Sequence, residues 1–551
     1  MKRYGILAFS IWIIILPLIP CLPIGLLKED LGVFPTIILT LLLLGMLLNQ
    51  QKKSNVVKYQ ITSADIWLGI FILYTLFRFF LEKSNDKADD LILYKIVMLC
   101  IVYMSIRNIT KKAIILNAIS IGSLLQSIIV CLQKFGYFES RHYLFDVTGT
   151  FGNPGQVAGY IVVGAMLSLS LCRCEMKKSH ITRVILYASS FTIQSIALFF
   201  ADSRASFIAL IAGIIFVWSR EIKGIIKNRI RLFVPLLLLC IIIFCFCMFR
   251  YRPASVEARI LIWHTSFNMF TDKPILGHGI GRFEKTYMHY QADFFKKHPQ
   301  SHFTSVADNV SFPYNELLRI GVEWGIIGVI IILSCLKSLF NRRYDEQDIN
   351  IKGVLATLLV FSMFSYPFDI LPLLLLFPIL TGLSKSQLYS SPYFSQKYIK
   401  GWQIACFITC IVCFKPMFFY VKASKQIKEI INENANLTIK TENFRRLLSN
   451  TTFANYLAYC IQQKNELFSD SLIDYLPPTC ETYCSYGDIF ANRGLYKKAE
   501  AYYKKAGYMI PTRLTPNYKL WKLYILQGDT IHAIRKAQYL SLIHISEPTR
   551  P

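Results

Sequence analysis

Through its first 421 residues this chain passes from one apolar run to the next, most of them about 17 to 25 residues long. That is the length a helix needs to cross a hydrocarbon core, and closed barrels with short alternating strands would not show it. The runs fall at 6–27, 33–49, 64–82, 91–106, 113–135, 156–172, 183–200, 204–219, 230–249, 317–339, 353–366, 370–383 and 402–421. The fold they predict is all-α, a polytopic helical membrane protein of about 12 to 13 spans. A composition that is 54% hydrophobic agrees, because a soluble domain of this length has too much surface to cover. The first run follows Lys2 and Arg3 without a small-residue cleavage pattern, and it reads as a retained helix.

A net charge of +26 raises the question of nucleic acid. The cations lie mainly in short loops, and every second loop is basic: Lys52 to Lys58, Arg107 to Lys112, Arg173 to Arg183, Arg220 to Arg231, and Arg342 to Lys352. That alternation is a topological signal and implies no nucleic-acid partner. It places the amino terminus in the cytoplasm and a large loop, about 250–315, outside. Pro367-Phe368-Asp369 interrupts a stretch too long for one span, and basic residues flank it on both sides, so two short crossings are expected there. Everything after about residue 421 then lies outside. Most of the fifteen cysteines fall in or beside apolar runs without paired spacing, which implies neither zinc nor a disulfide framework. Cys480 and Cys484 lie in the polar tail, where an oxidising compartment would let them pair.

The chain changes character near Lys422. Residues 1–421 form the expected membrane domain and 422–448 a linker helix. Beyond it, Tyr483-x2-Tyr486-Gly487-x2-Phe490 followed by Ala499-x3-Tyr503-x2-Ala506-x4-Pro511 matches the tetratricopeptide pattern. A shift of 34 residues finds Tyr456 and Pro477 before it and Tyr524, Ala533 and Ala537 after it. About three repeats are therefore expected over 449–540, with a face for a protein partner or for self-association. Residues 541–551 break the repeat, resemble translated adapter read-through, and are expected to be a non-native tail.

The unusual polar clusters all fall on the outer side of this topology. Gly149-Thr150-Phe151-Gly152-Asn153-Pro154-Gly155 can fix a tight turn and present backbone amides to an anion, or be a plain turn. Asp202-Ser203-Arg204 puts a guanidinium between two apolar runs, a costly position unless it lines a wet cavity or binds a charge. Arg259 and Trp263 share a helical face and lead to Pro274-Ile275-Leu276-Gly277-x-Gly279-x-Gly281-Arg282. This glycine series is no dinucleotide fingerprint, since no βαβ unit contains it, and a compact turn near a substrate head group is expected around Gly279. Finally Tyr314-Asn315-Glu316 opens the next run, with Arg319 and Glu323 following. The two carboxylates either pair with the outer arginines or orient an acceptor.

Taken in order, Gly-x-Phe-x-Asn-Pro, Ser-Arg, Arg-x3-Trp, Pro-Ile-Leu-Gly-x-Gly, Asn-Glu-x-Leu and Glu-x-Gly-Ile-x-Gly resemble the O-antigen ligase and polymerase superfamily over about residues 60 to 420. The resemblance implies a metal-independent, multi-pass glycosyltransferase of the bacterial inner membrane, without a cofactor. Its donor would be a glycan on undecaprenyl diphosphate and its acceptor a glycolipid or protein hydroxyl. Arg204 and Arg259 would stabilise the departing diphosphate, with Arg252 and Arg282 behind them. Phe151 and Trp263 would pack on sugar or lipid, beside Asn153, Tyr314 and Asn315. Family ligases often carry His where Tyr314 stands, so the base is left among His302, His298 and Glu316. A repeat-unit polymerase or a protein O-oligosaccharyltransferase shares the motif series. A lipid-glycan transporter would more often show internal repeats.

Overall fold

The structure is a computed structural model that describes residues 4–21, 61–83, 90–107, 109, 111–219, 221–222, 253–341, 345–386 and 478–546, with 40, 42, 401, 404 and 408 as single positions. The expected span 230–249, most of 33–49 and 402–421, the linker, the first repeat and Arg252 lie outside the described residues. In chain order the helices are α1 (Tyr4–Ile15), α2 (Ser63–Lys83), α3 (Asp90–Arg107), α4 (Lys112–Lys134), α5 (Pro154–Lys177), α6 (Ile181–Phe200), α7 (Arg204–Val217) and α8 (Pro253–Asp272). They continue as α9 (Phe283–Lys297), α10 (Glu316–Phe340), α11 (Glu346–Ser362), α12 (Leu371–Leu383), α13 (Cys480–Asn492), α14 (Tyr496–Met509), α15 (Leu514–Leu526) and α16 (Thr530–Ser546). Among the described residues, α2, α4, α5, α6 and α10 contain stretches long and apolar enough to cross a membrane, and α1, α7 and α12 are shorter apolar helices. The protein is an all-helical membrane protein. The chain breaks between α11 and α12 at Pro367–Asp369, where two short crossings were expected.

Two compact units emerge: Met1–Leu239 with Tyr314–Leu317 and Ile327–Met417, and Cys240–Pro313 with Leu318–Ile326 and Phe418–Pro551. In the first, α5 is the central helix and packs against α4, α6, α7 and α11. Small residues permit this. Gly159 lies under the Phe361 ring, and a side chain at Gly164 would collide with Ser123. Helix α6 has the polarity that lipid demands, with Ser190 and Gln194 buried while Ile185, Leu186, Ile196 and Phe199 are exposed. The buried polar groups meet on α4, where Gln194 Nε2 donates to Ser123 Oγ at 3.2 Å and Ser120 bonds Ser168 at 2.8 Å. Such bonds align helices where apolar burial gives no preference.

One end of this unit carries the basic loops that the charge pattern singled out. Lys177 pairs with Glu346, Arg173 with Glu221, and Lys385 with Asp345, while Lys178, His180 and Arg183 surround Glu175.

In the second unit, loop helix α9 packs on α14 of the carboxyl-terminal helices. Fully buried Gln291 donates to the carbonyls of Met509 at 2.7 Å and Asp308 at 3.1 Å. Arg513 pairs with Asp308, and Asn309 bonds both Glu481 and the Cys480 amide. Helices α13 with α14 and α15 with α16 form two successive hairpins. Gly487 lets the Tyr503 ring lie against α13. Cys480 and Cys484 are buried free thiols, one turn apart on α13, rather than a disulfide. Helix α16 continues to Ser546, into the expected tail.

Candidate active site

The first unit contributes three elements, each at the mouth of a helix. The Gly149 turn is held from below by two α4 glutamines. Gln133 Oε1 accepts from the amides of Thr148 at 2.9 Å and Gly149 at 2.7 Å, and its Nε2 donates to the Gly149 carbonyl at 2.9 Å. Gln126 Oε1 accepts from the Thr150 amide at 3.2 Å, and its Nε2 donates to Thr150 Oγ1 at 2.9 Å and the Pro17 carbonyl at 3.0 Å. Gly149 takes a φ of 59°, and any side chain there would strike Val157 and Gln126. Sequence reasoning passed over both glutamines. Their signal was a pair of amides seven residues apart within an apolar run, hence on nearly one helical face.

The turn uses its candidates structurally. Asn153 Oδ1 accepts from the Gly155 amide at 2.8 Å, capping α5 with Pro154 at its first position. Phe151 is 5% exposed and belongs to the apolar core beside Tyr160, so its expected packing on a sugar face has little ring to offer.

Arg204 is different. It is half-buried and is the first residue of α7, whose N-cap Ser203 makes no side-chain cap bond and whose Ser206 Oγ donates to Ser203 Oγ at 2.8 Å instead. A cation at the positive end of a helix opposes the helix dipole, and of the first-turn amides there Ser206 already donates to the Ser203 carbonyl at 3.1 Å. The helix dipole gives an arginine here no stability, and a helix start of this kind can receive an anion. The preceding Asp202 has a φ of 47°, a left-handed conformation uncommon outside glycine. Tyr314 repeats that feature at 52°, directly before Asn315 and buried Glu316. The Tyr314 ring meets Tyr366 edge-on at 5.4 Å. Gln156 hydrogen-bonds the Tyr366 phenol. Backbone strain of about 1 to 3 kcal/mol persists only where surroundings fix it, and it clusters at functional sites.

The second unit carries Arg259 and Trp263 on α8. Trp263 is half-buried, and its Nε1 donates to the Pro313 carbonyl at 2.9 Å, fixing the peptide that precedes Tyr314 in the chain. The glycine series has an unexpected task. Helix α10 breaks at Gly325 (φ 69°, ψ −170°), and Pro274–Gly281 lies along the break. The amides of His278 and Gly279 donate to the carbonyls of Val322 at 2.7 Å and Glu323 at 3.1 Å, while Ile326 donates to Pro274 at 2.8 Å. Gly277, Gly279 and Gly281 all have positive φ, and a side chain at Gly277 would meet the Glu323 backbone. The Gly279 amide, expected near a substrate, is spent on this lock. Glu323 is 1% exposed, and its Oε1 accepts from the Phe283 amide at 3.3 Å and Arg319 Nε at 3.5 Å. It is a structural carboxylate that tethers α9. Arg282 precedes that helix and is half-buried. His298 and His302 are exposed, the latter against Phe303 at 3.9 Å.

The O-antigen ligase family matches residues 189–333, from α6 through most of α10. A protein of Rickettsia conorii named as a candidate polysaccharide ligase is 26% identical over 208 residues, 35% of this chain and 46% of that protein. Similarly named proteins of Rickettsia typhi and Rickettsia felis are 29% and 31% identical, covering 31% and 28% of this chain and 42% and 37% of theirs. The chain thus spans less than half the length of these curated relatives. No solved structure matches it. Over residues 189–333, which carry Arg204, Arg259 and Arg282, this chain is therefore similar to the O-antigen ligase family.

Proposed function

We propose that this protein transfers a glycan from undecaprenyl diphosphate to an acceptor hydroxyl, on lipid A-core or a similar glycolipid, at the outer face of the bacterial inner membrane. The observation that carries the reading is Arg204 at the uncapped start of α7. In the reaction the acceptor oxygen attacks the anomeric carbon, the bond from that carbon to the diphosphate oxygen breaks, and the hydroxyl proton passes to a base. Direct displacement inverts the anomeric centre. The negative charge that grows on the diphosphate oxygen needs cations and donors held in advance, and a guanidinium can bind two oxygens at once. Arg204 supplies this with the first-turn amides of α7, and Arg259 is the second guanidinium, with Arg282 and Arg252 as further cations.

The base is chosen among Glu316, His302 and His298. Glu316 is the first residue of α10, buried and following strained Tyr314, while the two histidines are exposed on the loop. This contrast favours Glu316 as the residue held for a role. The contact of α9 with α14 supports the carboxyl-terminal helices sharing the loop's side, outside the membrane. The test is glycan transfer in vesicles supplied with lipid-linked glycan: Arg204→Ala abolishes it at unchanged expression. Transfer at wild-type rate in that variant removes the diphosphate assignment. Lipid-glycan movement across the bilayer without transfer, even by the unaltered chain, moves the protein to the transporter class.

A further inference from the structure

We propose that the large loop holds a carbohydrate subsite of its own, a cavity where Phe294 and the imidazoles of His264 and His298 receive a pyranose ring of the glycan. The inference rests on the transfer reading for the source of the sugar, but its geometry is independent of the arginines. The cavity measures about 500 Å³ and is lined by His264, Phe294, His298, Pro299, Gln300 and Ser301. That volume lies within the range of small-molecule sites.

The chain builds this cavity from two helices and a turn. Helix α8 contributes His264, whose exposed ring stands edge-on to Phe294 at 5.5 Å. Helix α9 ends at His298, where the His298 amide donates to the Phe294 carbonyl at 2.9 Å and the rings lie 5.1 Å apart. The Pro299-Gln300 turn closes when the Ser301 amide donates to the His298 carbonyl at 3.2 Å, and Ser301 Oγ accepts from the Phe303 amide at 3.3 Å. Under Phe294 lies a small core of Leu261, Phe295 and Ala307. The ring is therefore anchored from behind while remaining half-exposed.

The lining chooses the ligand. An aromatic face attracts the weakly positive C–H face of a sugar, and imidazole, carboxamide and hydroxyl groups each offer donors and acceptors to its hydroxyls. No arginine or lysine is among the six lining residues, so a phosphate has no guanidinium or ammonium to bind. His264 follows Arg259 by five residues, about 140° around the helix, so the cavity opens on a different face of α8. The ring held there belongs to a part of the glycan away from the bond that changes. Loss of the subsite should therefore raise KM for the lipid-linked glycan and leave kcat nearly unchanged.

The test uses the full chain in lipid nanodiscs, because maltoside detergents carry the ligand themselves. Saturation-transfer NMR is recorded with methyl glucoside, methyl galactoside and N-acetylglucosamine, with the open-chain polyol mannitol as control. The expected result is transfer to at least one pyranose and none to mannitol, falling at least fivefold in His264→Ala and Phe294→Leu. His264 is exposed, so its variant carries the test if Phe294→Leu fails to fold. Pyranose signals no greater than mannitol, or signals unchanged in both folded variants, overturn the subsite. The two readings part cleanly, since Arg204→Ala should lose glycan transfer yet keep the sugar signal. A chain that transfers glycan but shows no pyranose signal refutes the subsite alone.

Discussion

Replacing Gln133 with leucine should release the Gly149 turn without disturbing the helices beside it. The side chain makes four backbone bonds, the fourth to the Glu139 carbonyl at 3.1 Å, and Thr148 is fully buried, so its amide has no water to turn to. A buried donor left without a partner costs about 1 to 3 kcal/mol. Two such donors lower the free energy of opening the turn by about 2 to 5 kcal/mol, with partial relaxation allowed for. Local exchange should then accelerate by roughly 30-fold to several thousand-fold. Amide hydrogen exchange by mass spectrometry on peptides covering 146–152, in nanodiscs, reads this directly. Gln133→Glu keeps the oxygen that accepts from both amides, though not the Nε2 donor to the Gly149 and Glu139 carbonyls, and should show a smaller change than leucine. Exchange at 148–150 within about twofold of the unaltered chain, with α4 and α5 still protected, would refute the clamp.

Gly325→Ala forces a side chain against the Ile275 carbonyl at a φ of 69° and should destabilise the loop by about 2 kcal/mol or more, seen as faster exchange over 274–281. Gln291→Leu removes the buried link between α9 and the Met509 carbonyl. Susceptibility of 480–513 to limited proteolysis should rise by the factor of about 5 to 150 that a 1 to 3 kcal/mol loss implies. His289, beside Tyr483, is pushed down to about 4 by burial and then by Lys505. A depressed folded pKa means that its stabilising contribution is complete above the unfolded value of about 6.5 and is lost as pH falls toward 4. After discounting for its partial exposure this is about 1 to 2 kcal/mol, and exchange in α9 and α14 should accelerate across that window in the unaltered chain but not in His289→Phe.

Much of the membrane fold was legible because lipid makes a long apolar run and a helix nearly the same statement. The break at Pro367–Asp369 followed from length and proline, and among the described residues the loops 173–183 and 342–352 meet through Lys177 and Glu346. The candidate site was less legible. A glycine series has one appearance whether its amides face a ligand or a neighbouring helix, and only tertiary contact revealed that Gly279 serves the break at Gly325. Asn153 was chosen as a ligand contact, but Asn before Pro is also a strong helix start, and its side chain makes that cap. Gln126 and Gln133 were missed because a polar residue within a span names no partner until the loop it holds has folded back. The Gln291–Met509 contact joins residues 218 positions apart, beyond any local pattern.

The central claim is that Arg204 and Arg259 receive the diphosphate of a lipid-linked glycan. It is tested by measuring glycan transfer in membrane vesicles containing the cognate donor, for the unaltered chain, Arg204→Ala, Arg259→Ala and the corresponding lysine variants at matched, folded expression. The account predicts loss of transfer by at least a hundredfold in both alanine variants, with partial recovery in lysine, which keeps the charge but not the paired bonds. Transfer at the unaltered rate in the alanine variants would contradict it.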